Sequence, residues 1–221
     1  MMELFLINMG GGNFSSIRLF EKLRKKIYIL WNRYYLKMLL GKDNLGCFAY
    51  IHNKVYFRIA TGSIVRIGDY FTFTSGDNFN PLCRNLRGCI VTERVSSRII
   101  IGNHVGISSA CIWAKDEIKI GNHVNIGGNC ILMDSDAHNL DWRIRNSGQV
   151  AANGNSLDNE TCKCAPIIIG DHVLIGANSI ILKGVTIGEH SVIGAGSVVT
   201  RDIPANCIAG GNPCKIIKYI N

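Results

Sequence analysis

Four side chains capable of acid–base chemistry crowd into the stretch ILMDSDAHNLDWR: Asp134, Asp136, His138 and Asp141. An imidazole beside a carboxylate is the usual general base near neutral pH, because the carboxylate fixes the ring tautomer and favours the imidazolium that forms. Asp136, two residues before His138, is the expected orienting group, with Asp134 behind it. From spacing alone, a surface histidine among solvated aspartates reads equally well. The other histidines divide differently. His104, His123, His172 and His190 all close the same phrase, IGNH, IGNH, IGDH and IGEH, and His52 lies upstream in YIHNKVYF. Only His138 stands off the recurring phrase. Nine cysteines, an odd number with no C-x-x-C pair, read as free thiols of a reducing cytosol rather than a disulfide frame or a zinc set.

The elements that position His138 follow from a period of six. Ile169, Ile175, Ile181, Ile187, Ile193 and Val199 are spaced by six, and Gly170, Gly176, Gly188 and Gly194 follow four of them. Val173, Ser179, Val185, Ser191 and Ser197 come four residues after an anchor, all small or β-branched. A period of six contradicts a helix and suits a short strand plus a turn. Such units stack as coils, because none can bury its own apolar face alone. Upstream, Ile101, Ile107 and Trp113, then Ile120, Ile126 and Leu132, repeat the spacing, and a fainter copy begins at Ile67. The expected fold is all-β, a left-handed parallel β-helix with an N-terminal helical segment and protruding loops. Residues 76–89 and 134–165 break the ladder and read as loops thrown out from the coils, where chemistry tends to sit. The expected division is a capping segment 1–60, a β-helix 61–208 and a tail 209–221.

The segment before the repeats has apolar residues at Phe20, Leu23, Ile27, Leu30, Trp31, Tyr34 and Met38, close to helical spacing. Ser15 or Ser16 is expected to cap it and Gly41 to end it. It carries Arg18, Lys22, Arg24, Lys25, Lys26, Arg33, Lys37 and Lys42 against Glu21 alone. A lid on the open end of the β-helix with a solvated basic face is the leading reading. Peripheral contact with an anionic membrane is the second. The 221 residues hold no apolar run of the ~20 needed to span a bilayer, and MMELFLINMGGGNF makes a poor secretory signal. The expected location is cytoplasmic, the inner face of the membrane being the second reading. The net charge of +8 lies largely in the N-terminal segment, and no nucleic-acid module accompanies it.

The ladder, the D-x-D-x-H loop and the tail GSVVTRDIPANCIAGGNPCKIIKYI together resemble the left-handed β-helix acyltransferases, above all the galactoside, maltose, capsule and lipopolysaccharide O-acetyltransferases. The resemblance covers residues 64–221. It implies an acetyl-CoA-dependent O-acetyltransferase that needs no metal, with His138 as the base that takes a proton from a sugar hydroxyl. It also implies a homotrimer with active sites between subunits. Carried over by residue, Ala177 and Ala195 match coil corners where the pantetheine arm lies on the backbone. Thr200 and Arg201 match the polar pair beside the pantetheine and phosphates. Pro213 matches the adenine neighbour, and Lys215 and Lys218 match cations near the nucleotide. Ser109 aligns with an acceptor-binding asparagine of the galactoside enzymes, and Leu174 stands where many relatives carry tryptophan.

Other readings are a serine O-acetyltransferase or sugar N-acetyltransferase, a zinc-dependent β-helix hydratase using His104 and His123, and a non-catalytic scaffold.

Overall fold

The computed structural model describes residues 14–76, 82 and 86–220, with the backbone alone for residues 14–18. The opening stretch 1–13, the side chains of Ser15, Ser16 and Arg18, and most of the 76–89 loop therefore lie outside the described residues. The polypeptide winds through three parallel sheets, one short strand per sheet per coil. The first sheet stacks β3 (Ile64–Ile67), β6 (Arg98–Ile101), β9 (Glu117–Ile120), β12 (Ile167–Ile169) and β15 (Thr186–Ile187). The second stacks β1 (Tyr50–His52), β4 (Thr72–Thr74), β7 (Gly106–Ser108), β10 (Asn125–Ile126), β13 (Leu174–Ile175), β16 (Val192–Ile193) and β18 (Cys207–Gly210), with β19 (Lys215–Tyr219) added antiparallel at its edge. The third stacks β2 (Tyr56–Arg58), β5 (Cys89–Thr92), β8 (Cys111–Ala114), β11 (Ile131–Met133), β14 (Ile180–Leu182) and β17 (Val198–Val199). β1 and β2 belong to the ladder although they precede residue 61, so the coils begin inside the stretch assigned to the cap.

The aliphatic anchors fill the interior. Ile169, Ile175, Ile181, Ile187, Ile193 and Val199 are fully buried, each above its counterpart one coil away. The small residues between them are buried too. Ser179 and Ser197 donate to the carbonyls of Gly176 and Gly194, and Ser191 to that of Pro204, so the hydroxyls are satisfied within the core. Glycine at 176 is dictated by close stacking: a Cβ there would sit 2.4 Å from the Ala195 nitrogen. One anchor differs from its expected position. Ile112, not Trp113, points inward, in register with Ile90 and Leu132, because the corner before β8 is one residue shorter. Trp113 faces outward, with a buried Nε1 that has no hydrogen-bond partner among the described residues.

The four IG-x-H histidines are turn residues, all with φ between 55° and 58°. Their rings stack as one column, Phe48–Tyr70–His104–His123–His172–His190, with centroids 4.6–5.0 Å apart. His104 and His123 lie face to face, 4° from parallel, rather than turning their nitrogens toward a common point.

Helix α1 (Phe14–Leu40) covers the open end. Leu36 and Leu40 are buried, and Asn32 Nδ2 donates to the carbonyls of Ile51 and Asn53. Gly41, at φ 88°, ends the helix as expected, its N–H bonding to the Lys37 carbonyl. No described helix is long and apolar enough to cross a membrane.

Candidate active site

The chain leaves the coils after β11 and returns before β12. Main-chain bonds clasp the neck of this excursion: Ala165 N–H to Asp134 O at 2.9 Å, Asp136 N–H to Lys163 O at 3.0 Å, and a bridge between Ser135 and Cys164. Inside it lie two short helices, α2 (Trp142–Arg145) and α3 (Leu157–Thr161). Ala137, at φ 60°, turns the backbone so that His138 N–H bonds to Asp136 O.

The carboxylate on His138 is Asp158, from the first turn of α3. Its Oδ2 lies 2.6 Å from His138 Nδ1, and its Oδ1 accepts the Asn139 N–H at 2.6 Å. Those two interactions hold the Asp158 carboxyl below the usual range, the histidine bond being the larger cause. An ionised carboxylate on Nδ1 demands a proton there and leaves the Nε2 lone pair free. The imidazole is 68% exposed, and Nε2 has no protein partner among the described residues. Asn139 adds a second tie, its Nδ2 donating to Thr161 Oγ1.

This geometry corrects the expected partner. Asp136 Oδ1 pairs with Lys183 Nζ at 2.6 Å and does not touch the imidazole ring. Asp134 is fully buried and accepts the backbone N–H groups of Lys115 and Asp116 through its two oxygens. Burial pushes its pKa up against those bonds, and its work is to pin neighbouring coils. Asp141 caps α2 and pairs with Arg143.

α3 is held from the coils beneath it. Arg94 Nη2 donates to the carbonyls of Asn159 and Glu160, and Lys115 Nζ to that of Asn159 at 2.9 Å. Cations suit these free C-terminal carbonyls. The Lys115 side chain is wholly buried, 3.2 Å from Glu93 Oε2 and 3.1 Å from Cys162 Sγ. Asp158, Lys115 and Arg94 were not singled out in the sequence. Asp158 is twenty residues from His138, with no fixed spacing to mark it.

The residues expected to meet the carrier fall on two corners. Ala177 and Ala195 stack at the edge where the chain enters the third sheet. Pro213 and Lys215 lie beside them: Lys215 pairs with Gly210, and Cys214 N–H bonds to Val198 O. Lys218 follows on the same exposed strand, opposite Ile208. Thr200 and Arg201 leave the sheet at its other edge, as do Lys183 and the His138 loop. The two edges are about 15 Å apart at ~3.3 Å per residue, and the neck of the His138 loop is tied to the Lys183 edge. Ser109 is buried, and its Oγ accepts the Gly76 N–H. That bond and its burial tie the Ser109 hydroxyl to the turn at Gly76. Leu174, in β13, stands half exposed.

Comparison with known proteins agrees with this architecture. Residues 166–201 match the family described as hexapeptide repeat of succinyl-transferase. A galactoside acetyltransferase solved in complex with coenzyme A is 27% identical, with a TM-score of 0.53, over 97% of this chain and 85% of that one. AntD, an N-acyltransferase from Bacillus cereus, shares the fold at a TM-score of 0.58 and 20% identity, over 86% of this chain and 89% of its own. The 2,3,4,5-tetrahydropyridine-2,6-dicarboxylate N-acetyltransferase of Staphylococcus aureus (strain Newman) is 49% identical over 59 residues, 27% of this chain and 25% of the relative. Protein CapG of Staphylococcus aureus is 72% identical over 54 residues, 24% of this chain and 31% of its own. The chain thus matches between a quarter and a third of the length of these two curated relatives. The fold defines a left-handed parallel β-helix built of hexapeptide repeats. Within that class the chain is similar to the hexapeptide-repeat acetyltransferases.

Proposed function

We propose that this protein transfers the acetyl group of acetyl-CoA to a sugar hydroxyl of a surface polysaccharide or its precursor. The observation that carries the reading is the His138–Asp158 pair at 2.6 Å, which leaves Nε2 exposed as a base. Nε2 takes the acceptor's hydroxyl proton as the oxygen attacks the thioester carbonyl. The C–S bond then breaks, and the coenzyme A thiolate recovers the proton from the imidazolium. Asp158 keeps the proton on Nδ1 and balances the imidazolium charge while it lasts. The carrier rests on the corner of Ala177 and Ala195, whose short side chains let a pantetheine arm approach the backbone. Lys215 and Lys218, beside that corner, meet its phosphate groups and Pro213 its adenine, while Thr200 and Arg201, on the edge that carries His138, meet its polar groups from the neighbouring subunit. The working unit is a homotrimer in which His138 of one subunit faces the carrier corner of the next, a reading supported by the separation of the two edges within one protomer. The expected compartment is the cytoplasm, which supplies acetyl-CoA.

The N-acetyltransferase relative from Staphylococcus aureus favours a second reading, an amine acceptor. Thiol release from acetyl-CoA across a panel of sugars and amino sugars tests both. A product cleaved by hydroxylamine is an ester and supports the first reading; a resistant product is an amide and supports the second. No thiol release with any acceptor, by a trimer that binds acetyl-CoA, would count against both.

A further inference from the structure

Helix α1 buries only one side. Leu36 and Leu40 face the coils, Asn32 is bonded to the β1 strand and its following turn, and Tyr35 lies against Phe57 with ring centroids 6.4 Å apart. At 100° per residue, Leu19, Phe20, Leu23, Ile27, Leu30, Trp31, Tyr34 and Met38 fall on one stripe roughly opposite Leu36 and Asn32. Each of these eight side chains is more than half exposed. The stripe runs about 30 Å at 1.5 Å per residue. A soluble surface seldom leaves so long an apolar row open, and the contacts at Asn32 and Leu36 prevent the helix from rolling it inward.

Charge decides what covers it. Lys22, Lys26, Arg33 and Lys37 form a row along one flank of the stripe, and Arg24 lies on the other, while Glu21 is the single acidic residue of the helix. A second copy of the same helix would bring like rows together with no carboxylates to answer them. An anionic bilayer supplies the missing charge all along the row. Its interfacial zone also suits Trp31 and Tyr34, whose rings have an apolar body and a polar edge. We propose that α1 lies flat on an anionic phospholipid surface, its apolar stripe among the acyl chains and its lysines at the headgroups. The catalytic domain would then be held at a membrane, where lipid-linked acceptors reside.

Flotation of the full chain with phosphatidylcholine vesicles, with and without phosphatidylglycerol, tests this. Binding is expected only with phosphatidylglycerol, reduced at high salt, with a blue shift of Trp31 fluorescence. Ile27→Glu with Leu30→Glu should abolish it. Lys22→Gln with Lys26→Gln should weaken it about thirtyfold at ~1 kcal/mol per cation. All four positions are exposed, so melting temperature should be unchanged. Absence of flotation, or flotation unaffected by both pairs, overturns the proposal. So does a fall in sedimenting mass for the glutamate pair, which would assign the stripe to a second copy.

Discussion

Asp158 Oδ2 meets His138 Nδ1 at 2.6 Å across twenty residues of chain, while its other oxygen holds the Asn139 N–H. One carboxylate thus fixes both the ring and the backbone that carries it. The ring cannot swing away without breaking its bond to Asp158, and the backbone cannot shift without breaking the second. That coupling shapes what substitution should do.

His138→Ala should lose acceptor-dependent turnover by about 10²–10⁴-fold, the usual worth of general-base catalysis, with acetyl-CoA affinity unchanged. His172→Asn is the control, since asparagine tolerates the left-handed turn that alanine would strain. Turnover of His138→Ala within about threefold of the parent removes it from the base role.

Asp158→Asn should lower kcat about tenfold or more and leave the KM for acetyl-CoA alone, because it disturbs the tautomer and not the carrier. Asp136→Asn should break the pair with Lys183 while sparing the pH–rate profile. The reverse ranking of the two variants would return the orienting role to Asp136.

The pH response of the same carboxylate has a fixed sign. Its folded pKa is depressed, so its hold on His138 and Asn139 is complete above the ordinary aspartate value, about 3.9, and is lost as pH falls through the lower folded value. The Asn139 amide resonance should therefore shift with a midpoint below about 3.9, and the transition should vanish in Asp158→Asn. A midpoint above that value would contradict the geometry.

Lys115→Met should cost about 1.5–3 kcal/mol, because it removes the buried partner of Glu93 and leaves it only the exposed Arg58 at 3.6 Å. It also removes one of the two cations that hold the Asn159 carbonyl of α3, leaving Arg94 alone. Thermal unfolding reads the first effect. At a temperature where the variant is folded, a fall in kcat with unchanged acetyl-CoA binding reads the second.

Ala195→Trp should block the carrier without unfolding the coils, since the residue is exposed at a corner. Arg201→Glu and Lys215→Glu should weaken coenzyme A about ten- to a hundredfold, and dephospho-coenzyme A less, if either meets the 3′-phosphate. Equal weakening assigns them to the pyrophosphate. No effect from any of the three places the carrier elsewhere.

The ladder was legible because an interior only one side chain wide demands an aliphatic anchor at each sixth residue, and Ile169 to Val199 obey without exception. The spacing of six points to Trp113, but a shortened corner moves the anchor to Ile112 without changing the apolar look of CIWA. His138 stood out by leaving the turn phrase. Its partner did not, since a loop that folds back on itself sets no sequence spacing between Asp158 and His138. Lys115 resembled any surface lysine in AKDE; only the return of the loop at Cys162 encloses it.

The clasp at the neck of residues 134–165 joins main chain to main chain, and the grips of Arg94 and Lys115 on Asn159 and Glu160 also reach carbonyls. Carbonyls and amides are the same whatever side chains lie between them. The mount of the His138–Asp158 pair therefore places few demands on the side chains between residues 146 and 154, which makes that stretch the part of the excursion freest to vary.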